Sequence, residues 1–395
     1  MQIISIMPHF NGVVKSKLPA AGTTIFAIMS GLANEYRAIN LSQGFPNFDV
    51  SPVLIDLVHQ SMKKGLNQYA PMPGILPLRE RIAEKMQDLY GATYHPETEI
   101  TITAGGTQAL YTAITALIHE DDEVILFEPA YDSYVPAIEL AGGIPVHVHL
   151  QPPNYKINWE EIKKLINPRT KMIIINSPQN PTGTVLEEED IMQLEKLIHG
   201  TDIIVLSDEV YEHIIFEKKK HQSVARFPAL AERSLIVFSF GKTFHATGWK
   251  CGYCIGPANL MKEFRKVHQF LVFSVNTPLQ YALAEFMADK NNYSGLESFY
   301  ETKRNYFRKI MEGSLFKPLP CYGSYFQLLD YSALSREKDT DYAIRLTKAN
   351  GVASIPVSVF YNEPVDHHLL RFCFAKDNST LEQAAEKLFK VKPAY

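Results

Sequence analysis

The 395-residue chain lacks the features that mark secreted, membrane-spanning or nucleic-acid-binding proteins. Its four cysteines are too few for a disulfide framework at this length. No stretch carries about 18 uninterrupted apolar residues, so no membrane span is expected. The first residues lack the charged start and apolar core of a signal peptide. A net charge of −4 produces no positive field that would attract nucleic acid. We therefore expect a cytoplasmic protein that binds neither membranes nor nucleic acids.

The cysteines also offer no metal or redox site. Cys251 and Cys254 form a C-x-x-C pair inside a strand-like run, and residues three apart in a strand point to opposite faces. The sequence has no second such pair to complete a zinc site. We interpret both cysteines as core residues and expect no bound metal.

What the chain does have is a regular alternation of short apolar runs and helical patterns from about residue 100 to 256. Continuous Val, Ile and Leu runs are typical of strands buried on both faces of a parallel sheet. The predicted strands are 99–104, 123–127, 145–149, 171–176, 203–207, 235–240 and 251–255. The alternation predicts an α/β domain with a mainly parallel seven-stranded sheet.

The pattern changes after residue 285, where short strands accompany longer helices. The predicted helices are 293–312 and 339–349, and the strands are 324–329, 352–355 and 369–374. A chain of this length is also too long for one ordinary core. We therefore predict an N-terminal segment over 1–44 that joins the small domain, a large domain over 45–285 and a small α+β domain over 286–395.

Polar residues follow the ends of several predicted strands. They are Gly105, Gly106, Thr107, Gln108, Asn180, Asp208 and Lys242. In sheets of this type, ligands bind beyond the carboxyl ends of the strands. The sequence therefore predicts a ligand site at this edge of the sheet.

Lys242 stands in the loop after an apolar run, with Ser239 and Lys250 nearby. Such a lysine can form an imine with an aldehyde, and a hydroxyl with an ammonium group can hold a phosphate. Pyridoxal phosphate carries both groups. Gly241 and Lys242 also resemble the end of a nucleotide-binding P-loop, but Ile236 stands where that motif requires glycine. We therefore predict pyridoxal phosphate as the cofactor.

The other groups of pyridoxal phosphate have candidate partners at the same edge. The N–H groups of Gly106, Thr107 and Gln108 lie at a predicted helix start, which suits a phosphate, although a glycine pair is also a common plain turn. Asp208 ends an aliphatic strand, where an unpaired acid is costly. A carboxylate beside the pyridine nitrogen would keep that nitrogen protonated.

Four further residues complete the predicted site. Tyr211 and Asn180 are placed to donate to the phenolic oxygen, and Tyr131 is the candidate to cover the ring. An ordinary turn at Asn180 and a core position for Tyr131 are the alternatives. Arg371 interrupts an apolar strand, and its guanidinium can bind a substrate carboxylate through two hydrogen bonds. A structural Asp or Glu is the alternative partner for Arg371.

Together these residues resemble the class I/II aminotransferases of the fold-type I pyridoxal-phosphate family. The motifs that carry the resemblance are Asn180-Pro181-Thr182-Gly183, Ser207-Asp208-Glu209-Val210-Tyr211, and Ser239-Phe240-Gly241-Lys242-Thr243 with Lys250 eight residues after the lysine. Similarity spans nearly the whole chain. Within the family the chain is most similar to the kynurenine and glutamine aminotransferase branch, and especially to the bacterial methionine aminotransferases.

The resemblance implies a homodimer with shared active sites, in which Lys242 forms the Schiff base with the cofactor. By the same resemblance, the pyridine nitrogen pairs with Asp208 and the phenolic oxygen with Tyr211 and Asn180. The resemblance also implies that the phosphate is held by Gly106, Thr107, Ser239 and Lys250. The substrate carboxylate would be bound by Arg371 and Asn180, near Gly44. Tyr69 would reach the phosphate of the neighbouring chain, and Phe273 the substrate pocket of that chain.

The sequence departs from the family at two positions. Many relatives carry arginine where Lys250 stands, so the phosphate would meet a point charge rather than a two-pronged donor. Ser274 replaces a histidine found in some kynurenine-using members, which weakens the case for kynurenine. A pocket of Phe273, Phe360 and Tyr131, with no evident second arginine, favours apolar, thioether or aromatic side chains. We predict transfer of the amino group of an L-amino acid to a 2-oxo acid, with methionine first. Phenylalanine, tyrosine, glutamine and kynurenine are further candidates.

Two other functions are weighed against this one. A cysteine-conjugate or cystathionine β-lyase on the same scaffold would have identical cofactor contacts, so the sequence separates it poorly from an aminotransferase. A regulatory module that senses the cofactor normally requires a fused DNA-binding segment. The N-terminal stretch is too short and insufficiently basic to be one, so the enzyme is preferred.

Overall fold

The computed structural model describes residues 9–363 and 365–394. Residues 9–99 carry three α-helices and one short strand. These elements are α1 (Ile25–Glu35), β1 (Ile39–Asn40), α2 (Pro52–Lys63) and α3 (Leu76–Tyr90). The hydroxyl of Thr24 accepts a hydrogen bond from the backbone N–H of Ala27 and so caps α1. α2 and α3 carry proline in the first turn, where the missing N–H costs nothing.

The next region forms a seven-stranded sheet. Its strands are β2 (Ile100–Thr103), β3 (Glu123–Glu128), β4 (Ile144–His149), β5 (Thr170–Asn176), β6 (Ile204–Asp208), β7 (Ser234–Ser239) and β8 (Gly252–Ile255). The spatial order is β2-β8-β7-β6-β5-β3-β4, and β8 alone runs antiparallel to its neighbours. The mainly parallel sheet predicted from the apolar runs is confirmed.

Helices cover both faces of this sheet. They are α4 (Gly106–Leu117), α5 (Tyr134–Leu140), α6 (Trp159–Leu165), α7 (Glu188–Ile198), α8 (Pro228–Ala231), α9 (Phe240–Thr243), α10 (Ala258–Leu271) and α11 (Thr277–Phe286). In β5, Ile173 and Ile175 belong to one apolar core, while Met172 and Ile174 belong to another. Successive residues of a strand point to opposite faces, so both faces of β5 are buried. This is why the strand reads as a continuous apolar run.

The C-terminal region builds a smaller sheet. Its elements are α12 (Leu296–Ile310), β9 (Lys317–Pro318), β10 (Phe326–Asp330), α13 (Asp339–Arg345), β11 (Val352–Ala353), β12 (Ile355–Pro356), β13 (Leu369–Cys373) and α14 (Asn378–Phe389). Four strands pair antiparallel in the order β12-β13-β10-β9, and β11 pairs in parallel with β1 near the N-terminus. α12 is shorter than predicted because Gly295, at φ 91°, precedes its first turn.

All four cysteines are free and buried. Cys251 lies just before β8 rather than inside it, and its thiol packs in one core while that of Cys254 packs in the other. Burial raises the pKa of Cys251 to about 12, so the thiol stays protonated. In the described ranges, no helix is long and apolar enough to cross a membrane, and no group of three or more His, Cys, Asp and Glu side chains is arranged to hold a metal.

Candidate active site

A cavity of about 330 Å³ lies at the carboxyl edge of the seven-stranded sheet, with residues of the small sheet on its other side. The predicted site residues that line it are Gly44, Gly106, Thr107, Tyr131, Asn180, Asp208, Tyr211, Ser239, Lys242, Lys250 and Arg371. Four of the predicted residues are not among those lining it: Gln108, Tyr69, Phe273 and Phe360. The structure therefore brings together most, but not all, of the residues selected from the sequence.

One end of the cavity is formed by the start of α4. Gly105 connects β2 to this helix at φ 85°, a conformation that favours glycine. A side chain on Gly106 would place its Cβ 2.9 Å from Cγ1 of Val210, so this position requires glycine as well. The first N–H groups of a helix have no intrahelical acceptor. They therefore offer donors to an anion at this end of the cavity.

A lysine stands beside this helix start. Lys250 has left-handed backbone (φ 52°) and an exposed side chain whose ammonium group lies close to Gly105. No Asp or Glu among the described residues forms an ion pair with it. Ser239 ends β7 and lines the same part of the cavity. Helix N–H groups, a hydroxyl and a free cation are the donor set that a phosphate requires.

Gln108 does not line the cavity, and its side chain is engaged elsewhere. Its side-chain oxygen accepts a hydrogen bond from the N–H of Ala104 at 2.9 Å, and its side-chain nitrogen donates to the hydroxyl of Thr112 at 2.6 Å. The side chain is therefore committed to the first turns of α4. Its backbone N–H is the group that we selected from the sequence.

Asp208 ends β6 and is fully buried beside the cavity. The hydroxyl of Tyr134 donates to its Oδ2 at 2.6 Å, and the N–H of Val210 donates to its Oδ1 at 3.3 Å. Burial raises the pKa of Asp208 to about 6, although both hydrogen bonds and the Lys242 ammonium oppose the rise. No sequence motif identified Tyr134, which reaches Asp208 from a helix 74 positions away.

Lys242 extends from the short helix α9, immediately after β7, into the cavity. Its Nζ donates to the hydroxyl of Tyr325 at 2.7 Å and lies 3.4 Å from the carbonyl oxygen of Gly44. Burial lowers the pKa of Lys242 to about 8, and the positive charges of Arg371 and Lys250 act in the same direction. A larger fraction of this amine is therefore neutral near pH 7 than in an exposed lysine.

Two tyrosines surround these groups. The ring centre of Tyr211 lies 5.4 Å from Nζ of Lys242, and burial raises the pKa of its phenol. The hydroxyl of Tyr131 lies 3.1 Å from the hydroxyl of Thr107, and its ring packs edge-on against Tyr134. Both tyrosines line the cavity from the seven-stranded side.

Arg371 reaches the opposite side of the cavity from the middle of β13. Its Nη1 donates to Oδ1 of Asn180 at 2.6 Å, and its Nη2 donates to the carbonyl oxygen of Ser42 at 3.0 Å. Burial lowers its pKa to about 10. Within the described part of the chain, Nε of Arg371 has no hydrogen-bond partner.

No carboxylate among the described residues lies within ion-pair distance of Arg371, so the structural Asp or Glu weighed above as its partner is not found there. The guanidinium instead lies 3.9 Å above the ring centre of Phe326. Asp132, which also lines the cavity, acts on the guanidinium only from beyond ion-pair distance. A buried guanidinium whose direct contacts are neutral acceptors and an aromatic face can still bind an anion.

Three further predicted site residues lie apart from the cavity: Tyr69, expected at the phosphate of the neighbouring chain, and Phe273 and Phe360, expected at the substrate. Tyr69 and Phe273 are 80% and 44% exposed, and their rings pack edge to face at 5.1 Å. Phe360 is buried, with its ring centre 5.2 Å from the guanidinium of Arg371. Phe26 of α1 packs against Phe360 and lines the cavity in its place. Nothing in the amphipathic pattern of α1 distinguished Phe26 from its neighbours.

Comparisons with known proteins agree with this geometry. Residues 36–388 match the model of the family described as aminotransferase class I and II. The chain is 50% identical to methionine aminotransferase of Escherichia coli K12 over 377 residues, 95% of this chain and 98% of that one. It is 34% identical to human kynurenine–oxoglutarate transaminase 1, with 91% and 94% of the two chains covered.

Solved structures give the same result. The crystal structure of YbdL from Escherichia coli, whose methionine aminotransferase function was identified with it, superposes with a TM-score of 0.94 at 50% identity and covers 96% of this chain and 99% of that one. N-succinyldiaminopimelate aminotransferase from Mycobacterium tuberculosis superposes with a TM-score of 0.92 at 35% identity, with 96% and 100% covered. The chain therefore belongs to the class I and II aminotransferases, a family of pyridoxal-phosphate enzymes, and its fold is the one predicted.

Proposed function

We propose that this aminotransferase uses pyridoxal phosphate to move the amino group of an L-amino acid, methionine first, to a 2-oxo acid in two half-reactions. The observation that carries the proposal is the position of Lys242. Its amine lies in a cavity that has a helix start and Lys250 at one end and Arg371 at the other, and neither cation forms an ion pair within the described residues. The two ends suit the cofactor phosphate and the substrate carboxylate respectively.

The residues present fit the cofactor group by group. The first turn of α4, with Gly106 and Thr107, would hold the phosphate together with Ser239 and Lys250. Asp208 would face the pyridine nitrogen, and it is held in place by Tyr134. Burial disfavours the ionised form of Asp208, and a neighbouring cation would stabilise that form. A protonated pyridine nitrogen is such a cation.

The phenolic oxygen would lie near Tyr211 and Asn180, and the ring beside Tyr131. When bound, pyridoxal phosphate supplies an aldehyde carbon that accepts and returns amino groups, and a ring that spreads the negative charge left at Cα. Tyr211 is kept protonated by burial, so its hydroxyl can donate to that oxygen. Asn180 already contacts Arg371, so it lies between the cofactor and substrate positions.

Lys242 would do the proton transfer. Its amine, released when the substrate amine takes its place on the cofactor, would remove the proton from Cα and return it to the cofactor carbon. The low pKa that burial gives this lysine supports the role, because only the neutral amine can accept a proton. Arg371 would bind the substrate carboxylate, orient Cα towards the lysine and thereby favour one direction of attack.

The lining of the cavity supports an apolar or thioether substrate. Arg371 is the only arginine among the described residues that line it, so a second carboxylate on the substrate side chain would find no arginine there. Phe26 and Phe326 supply apolar surface. The 50% identity to an enzyme named for methionine adds to this choice, with aromatic amino acids, glutamine and kynurenine as the next candidates.

A homodimer is part of the proposal. Tyr69 and Phe273 form an exposed aromatic pair outside the cavity of their own chain. Large exposed aromatic groups of this kind are frequent in protein interfaces. In the proposed dimer Tyr69 would reach the phosphate of the neighbouring site, and Phe273 its substrate pocket.

We also propose the domain division 1–44, 45–285 and 286–395, and a cytoplasmic location. The pairing of β1 with β11 supports grouping the N-terminal segment with the small domain, since it joins residue 39 to residue 352. Four free cysteines support a reducing compartment.

Trapping and turnover together test the proposed function. The protein is incubated with pyridoxal phosphate and reduced with borohydride, and the expected result is a single adduct on Lys242 by peptide mass spectrometry. Lys266→Ala, which removes an exposed lysine of α10, is the matched control and should be labelled normally. A protein that remains unlabelled at residue 242 contradicts the proposal.

A substrate panel then tests the specificity. Methionine, phenylalanine, tyrosine, glutamine, kynurenine and aspartate are each offered with a 2-oxo acid, and transfer is measured beside release of pyruvate and thiol from a cysteine conjugate. Methionine is expected to give the highest kcat/KM and aspartate the lowest. Pyruvate and thiol release faster than amino transfer would favour the β-lyase instead.

A further inference from the structure

Tyr325 packs beside Lys242, and its hydroxyl oxygen contacts both this lysine and Gly44 of the N-terminal segment. The hydroxyl is 2.7 Å from Nζ of Lys242 and 2.5 Å from the carbonyl oxygen of Gly44. Tyr325 is not among the residues that line the cavity. It is therefore in a position to act on the lysine and not on a bound substrate.

The direction of these hydrogen bonds follows from the groups involved. A carbonyl oxygen can only accept, so the single hydrogen of the Tyr325 hydroxyl is donated to Gly44. The same oxygen must then accept from Lys242. The carbonyl oxygen of Gly44 lies 3.4 Å from Nζ of Lys242 and can accept from a second N–H of the lysine. A neutral amine has two N–H groups, so both have acceptors here and the lone pair is left free to take a proton.

The tyrosine ring is held firmly enough to define the position of this oxygen. It is fully buried. Its centre lies 5.1 Å from that of Tyr211 and 4.9 Å from that of Phe326, both in edge-to-face contact, and 6.0 Å from that of Tyr300. Packing on several sides restricts the ring to one rotamer.

We propose that Tyr325 is a positioning residue for the reaction: with Gly44 it holds the released amine of Lys242 by its N–H groups and so presents the nitrogen lone pair to the Cα proton. This inference rests on the proposed function, since it requires Lys242 to be the base. Neither the motifs of the sequence nor the cavity lining assigns a role to this tyrosine.

The ionisation of Lys242 provides a readout that mere packing would not change. The titratable and charged groups that face or influence it are Asp208, Tyr211, Lys250, Tyr325, Arg371 and Cys373. Of these, the Tyr325 oxygen accepts directly from Nζ, which favours the ammonium form. Removing that oxygen should therefore lower the pKa of Lys242 further.

The test compares Tyr325→Phe with Tyr300→Phe. Both changes remove a buried hydroxyl and keep the ring, but the hydroxyl of Tyr300 has no hydrogen-bond partner among the residues that the structure describes. In cofactor-free protein, the rate of reductive methylation at Lys242 is followed against pH by mass spectrometry. Tyr325→Phe should lower the apparent pKa by about half a unit or more, as expected for one lost hydrogen bond to a charged group. Tyr300→Phe should leave it unchanged.

The loaded enzyme gives the second readout. Tyr325→Phe should lower kcat about tenfold while KM changes less than about threefold, because the base is misplaced but substrate binding is intact. Should this variant not fold, 3-fluorotyrosine at position 325 keeps the hydroxyl and weakens it as an acceptor. Both the pKa of Lys242 and kcat are then expected to fall, but by less than in Tyr325→Phe.

Three results would overturn the proposal: an unchanged Lys242 pKa in Tyr325→Phe, an unchanged kcat, or equal changes in Tyr300→Phe. For the fluorinated protein, an unchanged pKa and kcat count against it equally. The wild-type protein separates this failure from that of the proposed function. If the wild-type protein forms no borohydride-stable adduct at Lys242, the proposed function is wrong and so is the role of Tyr325. If the wild-type protein forms the adduct but Tyr325→Phe changes neither the pKa of Lys242 nor kcat, only the role of Tyr325 is wrong.

Discussion

The two walls of the cavity are built in different ways. The wall on the seven-stranded sheet takes its residues from the ends of successive parallel strands, among them Asp208 after β6 and Ser239 after β7. The opposite wall collects Gly44 and Arg371, with Tyr325 packed behind them, from segments that are far apart in sequence. The first wall follows from a repeated local pattern, while the second exists only once the chain has folded.

The walls also differ in charge. Both contain a buried ionisable group whose pKa burial shifts towards the neutral form, upwards for Asp208 and downwards for Arg371. Asp208 is held by two donors from its own domain, whereas Arg371 bridges Asn180 of the large sheet and Ser42 of the N-terminal segment. We infer that the first wall serves the cofactor and the second the substrate, and substitutions can separate the two.

The largest effect is expected from Lys242→Ala, which removes an amine that contacts Gly44 on one wall and the ring of Tyr211 on the other. Amino transfer should fall by at least ~10⁴-fold, because no other neutral amine is available to move the Cα proton. Activity is measured with methionine and a 2-oxo acid. Lys266→Ala serves as the control, and residual turnover above a hundredth of wild type would show that another group acts as the base.

Asp208→Asn tests the cofactor wall. Asparagine keeps the shape but cannot stabilise a cation on the pyridine nitrogen, so kcat should fall about 10²–10³-fold. KM for methionine should change little, because the substrate wall is untouched. The measurement is steady-state kinetics at saturating cofactor. If Asp208→Asn instead raises KM for methionine and leaves kcat unchanged, the two walls do not have separate roles.

Arg371→Lys tests the substrate wall. Lysine keeps the charge but loses the two-pronged guanidinium, so kcat/KM should fall about 10–100-fold, mainly through KM. Cofactor affinity should stay as in wild type, and titration of the cofactor-free protein checks it. Equal weakening of cofactor binding would show that Arg371 serves both walls.

The smallest effect is expected on the stability of the cofactor-free protein. The pKa of Asp208 is raised in the folded state, so its contribution to stability is present below the unfolded value and is lost as pH rises to about 6. Asp208→Asn, which carries no charge, should therefore gain in unfolding free energy relative to wild type between pH 4 and pH 7. Urea unfolding at several pH values measures this, with exposed Asp56→Asn as the control. If Asp208→Asn shows no gain relative to wild type over this pH range, the pKa of Asp208 is not raised in the folded protein.

The sequence predicted which residues of the first wall lie at the cavity, because their positions repeat a short-range pattern. Continuous apolar runs identified the strands, and the polar residue after each run fell at the edge where parallel strands end together. Tyr134 escaped notice since it lies in a helix and approaches Asp208 from the side. Gln108 was selected for its backbone, and the structure shows that its side chain has another task.

Of the substrate wall, the sequence indicated Arg371, because a guanidinium in an apolar strand is conspicuous whatever it contacts, and the family resemblance added Gly44. Tertiary structure decided the rest. Tyr325 meets Gly44 across 281 positions of chain, and Phe26 takes the place at the cavity that we had expected for Phe360. Periodicity and strand ends report which face of an element is buried. They do not report which distant segment that face will meet, since that depends on how the two sheets pack together.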